Sequence, residues 1–210
     1  MHRRFILMGV VASATLAQGS AAAAAARRQA PRTVLPPPRR LQLRHAATGA
    51  RFSGPYFDGR AHDPVALAEL SQVLADTRTG AVRPFDPRAL DILWEVAQRA
   101  GAPGEAVILS GYRTPETNAA VHGAGDSEHL RAGALDVHVP PERMERFGET
   151  ALQLARGGVG VYAKRGFVHL DSGPVRRWGD VPGGTATAAA PARPDPLARM
   201  AEAWAATRQR

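Results

Sequence analysis

The chain has 210 residues, enough for one ordinary domain with flanking segments, and its 44% hydrophobic and 22% charged content is that of a globular protein. It has no cysteine, which excludes disulfides, thiolate metal ligands and a cysteine nucleophile. The net charge of +8 would suit an anionic partner, but residues 1–44 carry eight arginines and no acid, whereas residues 45–180 carry 15 basic and 17 acidic side chains. The basic excess therefore lies in the tails, where charge reads as solvated chain, and no nucleic-acid partner is expected.

Residues 1–26 open with Arg3 and Arg4, run apolar from Phe5 to about Leu16, and end in small residues with several Ala-x-Ala cleavage options. This is the layout of an export signal, and Arg3-Arg4 before Phe5-Ile6-Leu7 resembles a twin-arginine signal. The apolar run is short of the ~20 residues that span a bilayer, so no stable membrane span is expected after signal cleavage, an uncleaved anchor being the alternative. Residues 27–40, rich in proline and arginine, read as a linker. Residues 41–180 read as the folded domain, and residues 181–210 as low-complexity linker ending in a short amphipathic helix or a frayed tail.

Within the domain, Leu41–Arg44 and Arg51–Tyr56 alternate around Thr48-Gly49 and predict a hairpin. Asp63-Pro64 and Asp86-Pro87 each place an N-cap acid before a proline at the first helical position. The apolar stripes that follow are Val65, Leu67, Leu70, Val73 and Leu74, then Leu90, Leu93, Trp94, Val96 and Ala97. Ala106–Ser110 predicts a buried strand, Thr114–Val121 a short helix, and Ala134–Val139 another strand. Residues 142–156 predict an amphipathic helix, and Val159–Tyr162 with Phe167–Leu170 a closing hairpin.

Three segments carry the chemistry: SGYRTPETN at 110–118, SEHLRAGALDVHV at 127–139 and GFVHLDSG at 166–173. Imidazole and carboxylate suit zinc, and a catalytic zinc site has three protein ligands and an open position. His129 and Asp136, seven residues apart across Ala132-Gly133, can meet through a turn, with His169 arriving from a neighbouring strand.

These segments resemble the LAS group of zinc peptidases, whose signature is a histidine, an aspartate seven residues later and a distant second histidine. The nearer resemblance, over about residues 41–178, is to the periplasmic murein endopeptidase K (YcbK-like) family. It rests on Ser110–Arg113, on Ser127, His129 and Asp136, on Gly158–Asp171, and on Arg176-x-Trp178. The resemblance implies a zinc metallopeptidase, of D,D-endopeptidase type, that cuts cross-links between peptidoglycan stem peptides in the periplasm. It implies Zn2+ on His129, Asp136 and His169. It also implies an α+β fold, with a small antiparallel sheet carrying the ligands and helices packed on one face. Arg113 would bind a substrate carboxylate or stabilise an oxyanion, unless it serves a structural ion pair.

The general base is not evident. Gly166 and Phe167 stand where relatives in the wider group carry glutamate or histidine. Asp171 is the catalytic candidate, as base or as a carboxylate orienting a ligand, with His138 as a further one. The missing glutamate also leaves open a zinc-containing but inactive peptidoglycan-binding domain. Alanine replaces the family's usual glycine at 132, with Gly133 following, and the turn is expected to survive. The sequence does not fix the oligomeric state.

Overall fold

In the computed structural model, residues 36–181 are described; the signal-like segment, most of the 27–40 linker and the expected C-terminal helix lie outside the described residues. The proline-capped starts fall where the sequence predicts them. Helix α1 (Pro64–Val73) is capped by Asp63, which accepts from the amides of Val65 and Ala66 at 2.8 and 3.4 Å. Helix α2 (Pro87–Arg99) is capped by Asp86, and α3 (Pro115–Ala120) by Thr114. Each cap satisfies amides that the first helical turn leaves without partners. The fourth helix, α4 (Pro141–Leu154), starts and stops slightly earlier than expected, ending where Ala155 turns left-handed.

The strands are β1 (Arg39–His45), β2 (Arg51–Phe57), β3 (Ala106–Ser110), β4 (Ala134–His138), β5 (Gly158–Tyr162), β6 (Phe167–Asp171) and β7 (Arg176–Gly179). They form one seven-stranded sheet in the order β2-β1-β3-β4-β6-β5-β7. The expected small antiparallel sheet is corrected here: the sheet is mixed, because β1 pairs with β3 and β5 with β7 in parallel. The chain segment with α1 and α2 returns the backbone so that β3 runs alongside β1, and the chain after β6 passes β5 to pair on its far side. Strand β7, formed by the Arg-x-Trp segment, is not evident in the sequence because it is short and carries no apolar alternation.

Strand alternation divides the sheet into two faces. Leu43, Ile108, Leu135, Val137, Val168 and Leu170 join Leu70, Leu90, Leu93, Met144 and Phe147 in one buried cluster, so α1, α2 and α4 cover that face. Each fully buried leucine there contributes about 2 kcal/mol by leaving water. Val65, expected in the apolar stripe of α1, is 68% exposed, and Ala66 points inward instead. The sheet's other face carries the polar residues of the site.

Candidate metal centre

Register puts the site residues in rows. Ser110 pairs with Asp136, Asp136 with His169, His169 with Gly160, and Gly160 with Trp178, one row across five strands. Ser110 reaches that row because the register shifts between Ile108 and Ser110. Such a bulge inserts a residue, which re-aims the side chain that follows. A second row holds His138, Phe167 and Tyr162; on the other side Ala134 pairs with Asp171 and Gly158 with Arg176, the Gly158 amide donating to the Asp171 side chain.

His129 enters from a 3-10 turn, Glu128–Arg131, that the sequence does not announce. The turn closes at Ala132, which takes φ 55° and is fully buried. The alanine thus adopts the left-handed backbone that favours glycine, at a cost of about 1 kcal/mol, and the turn survives. Across from it, the 111–113 segment is locked to the end of α1. The Tyr112 amide donates to the Leu74 carbonyl at 2.9 Å, and a Cβ on Gly111 would lie 2.6 Å from that oxygen. The Arg113 amide donates to the His129 carbonyl at 3.1 Å, and His129 Nδ1 stands 2.6 Å from the Gly111 carbonyl.

These contacts orient both imidazoles. With its Nδ1–H donated to Gly111, His129 directs the Nε2 lone pair inward. His169 Nε2 lies 3.1 Å from Asp171 Oδ2, so with that proton donated its Nδ1 lone pair faces inward too. The two inward nitrogens are 3.2 Å apart, and Asp136 lies 2.9 Å from His169 Nδ1 and 3.3 Å from His129 Nε2. The ligand atoms of His129, Asp136 and His169 all lie within 4.8 Å of one another. Two converging lone pairs beside a carboxylate call for a cation. The donor set, two imidazoles and one carboxylate with the rear nitrogens fixed by a carbonyl and a carboxylate, fits zinc.

Burial governs the local electrostatics. It lowers the His129 pKa to about 4, helped by the nearby Arg113 guanidinium. His169 is buried as well, but its hydrogen bonds to Asp136 and Asp171 outweigh that penalty and raise its pKa. Burial would raise the Asp136 pKa, yet His129, Arg113 and His169 hold it well below the ordinary carboxylate range. Arg113, itself buried, pairs with Asp136 through Nη2 and donates from Nε to Ser110 Oγ at 2.7 Å.

Asp171 is 0% exposed. Its Oδ1 accepts from the amides of Gly158 and Gly173 at 2.9 and 2.8 Å, and its Oδ2 faces His169 and Arg176 Nη2. These donors outweigh desolvation and keep it ionised. His138 is half-buried on the same sheet face, and a Cβ on Gly166 would lie 3.7 Å from its ring. The fold thus brings Arg113, His129, Asp136, His169 and Asp171 together, with His138 one row away.

Asp76 is a residue that sequence reasoning missed. It is buried and accepts from the amides of Arg78, Thr79 and Thr114 and from Thr117 Oγ1. It thereby fixes the start of α3 next to Arg113. Its only sequence signal is an aspartate before Thr-Arg-Thr-Gly, which reads as an ordinary turn.

Residues 34–178 match the family model described as peptidoglycan L,D-endopeptidase MepK. The peptidoglycan L,D-endopeptidase MepK of Escherichia coli (strain K12) is 32% identical over 148 residues, covering 68% of this chain and 81% of that protein. The protein of the same name from Shigella flexneri matches to the same extent. The probable peptidoglycan L,D-endopeptidase MepK of Haemophilus influenzae is 32% identical over 149 residues, 68% of this chain and 80% of its own length. With a family match over most of its length and 32% identity to a curated relative, the chain belongs to the MepK family of peptidases.

Proposed function

We propose that the protein is an exported zinc-dependent endopeptidase that hydrolyses peptide cross-links of peptidoglycan. The observation that carries this reading is the convergence of His129 Nε2, His169 Nδ1 and Asp136 with both rear ring nitrogens already committed. Family membership and the signal-like residues 1–26 support the substrate class and the export. For the bond cut, the relatives' name favours an L,D linkage over the D,D type that the sequence resemblance implied.

Zinc at this position supplies Lewis acidity toward the scissile carbonyl. The chain's own residues do the rest. Gly111 and Asp171 hold the two imidazoles in the tautomers that leave their inner nitrogens open. Arg113 anchors Asp136 and sets a permanent positive charge beside the reacting carbonyl, where negative charge develops. Asp171 serves as the orienting carboxylate rather than the base, since both of its oxygens are engaged and no surface is left for a substrate. The proton-accepting role goes to His138. Its imidazole lies beside Gly166, the position at which the wider group places its glutamate.

Digestion of purified peptidoglycan, with the released fragments read by mass spectrometry, tests the assignment. Cleavage at an L,D bond that stops with a chelator and returns with Zn2+ is expected. A metal-loaded protein that leaves the polymer intact would favour the inactive binding domain, the alternative that the missing glutamate raises.

A further inference from the structure

Arg176 of the Arg-x-Trp segment reaches Asp171, but Trp178 has no role so far; it lies on β7, the edge strand beyond β5. Between His169 on β6 and Trp178 on β7 stands Gly160 on β5, in register with both. A glycine there leaves an opening in the row. The Trp178 indole lies across it: a Cβ on Gly160 would sit 2.5 Å from Trp178 Cε2, a distance no packed side chain tolerates. Through that opening the indole reaches the His169 ring, with centroids 5.1 Å apart and planes at 53°. The indole is itself fixed, because Trp178 Nε1 donates to the Tyr162 hydroxyl at 2.7 Å and the Arg176 guanidinium lies 5.4 Å from its ring centre.

We propose that Trp178, lying across Gly160, is a positioning residue for His169, setting the plane of the ring whose Nδ1 would hold zinc. This rests on the metal-site reading above. Asp171 and Asp136 meet the two ring nitrogens, contacts at the ring's edge that leave its face without support. The indole, with its centre 5.1 Å away and its plane tilted by 53°, supplies that support, and His129 meets the ring edge-on at 4.9 Å between ring centres. Preorganising a ligand in this way raises metal affinity without adding a ligand. The glycine of β5 is then required by the space that the indole takes and not by its own backbone, since Gly160 is not among the positive-φ glycines.

The test uses the full chain. Zn2+ affinity is measured by competition with a chromophoric chelator, on wild type, Trp178→Ala, Trp178→Phe, Gly160→Ala and the Gly160→Ala/Trp178→Ala double variant, with thermal melts of the metal-free proteins alongside. Trp178→Ala is expected to weaken binding by about 10- to 100-fold. Trp178→Phe, which keeps a ring there, should recover most of the loss. Gly160→Ala retains every ligand and the indole, yet should weaken binding as Trp178→Ala does, and the double variant should be no weaker than the worse single one. The Co2+-substituted forms should show the matching change in visible absorption, a signature that loss of stability alone does not produce. Variants that bind Zn2+ as wild type does, or single effects that add in the double variant, overturn the proposal. A wild type that binds no Zn2+ overturns the metal-site reading instead, and the proposal with it.

Discussion

Asp171 and His138 both stand close to the ligands, but their surroundings assign them opposite consequences on mutation. Asp171 is enclosed by four donors, so Asp171→Asn acts first on His169. Its Zn2+ affinity is expected to fall by about 10- to 100-fold, measured by chelator competition. His138→Gln should leave Zn2+ content unchanged and lower turnover by about 100- to 10,000-fold, the range that general acid–base catalysis supplies. Full turnover in His138→Gln would transfer the base to another group. At this scale the convergence of His129, Asp136 and His169 was legible, through the resemblance of their order and spacing to the LAS group's signature. The division of labour between Asp171 and His138 was not. Alternation places both on the correct face, but only cross-strand neighbours reveal that Asp171 has no room for a substrate.

Among the elements, the connection between α1 and α2 fixes the start of α3 beside the site. Asp76 holds the amide of Thr114 and the hydroxyl of Thr117, so the chain is pinned just after the SGYR segment, directly beyond Arg113. The four donors outweigh the cost of burial and keep its pKa at about 2. Asp76→Ala strands those donors, and a destabilisation of about 3 kcal/mol is expected, read as a lower denaturation midpoint at unchanged slope. A loss within about 0.5 kcal/mol, as for an ordinary surface substitution, would contradict this role. Helix starts were legible because Asp-Pro is a local signal with a local cause. The β3 bulge and strand β7 were not, because each depends on the register of a partner strand far along the chain. The mixed character of the sheet escaped for the same reason. Hairpins declare themselves at their turns, whereas a parallel pair leaves no mark in either strand.

For the whole molecule, acid is the natural stress. His45 is 0% exposed at the end of β1, and no hydrogen-bond partner for its Nε2 exists among the described residues. Burial lowers its pKa from 6.5 to about 4. Below pH 6.5 the unfolded chain takes up this proton and the folded one does not. Stability present above pH 6.5 is therefore lost as the pH falls toward 4, by about 3 kcal/mol. Unfolding free energies across that window, for wild type and His45→Leu, should differ in slope, the variant being flatter; parallel profiles would contradict the assignment. The charges that give the chain its +8 lie in its tails, and residues 45–180 are nearly balanced. Among the described residues no helix is long and apolar enough to cross a membrane. The central claim, that His129, Asp136 and His169 form a zinc site serving peptidoglycan hydrolysis, is tested most directly by measuring metal content and peptidoglycan digestion on one sample, wild type beside His169→Ala. The account predicts about one zinc per chain and released cross-link peptides for wild type, and neither for the variant. A wild type that digests peptidoglycan without metal, or a variant that keeps both metal and activity, would contradict it.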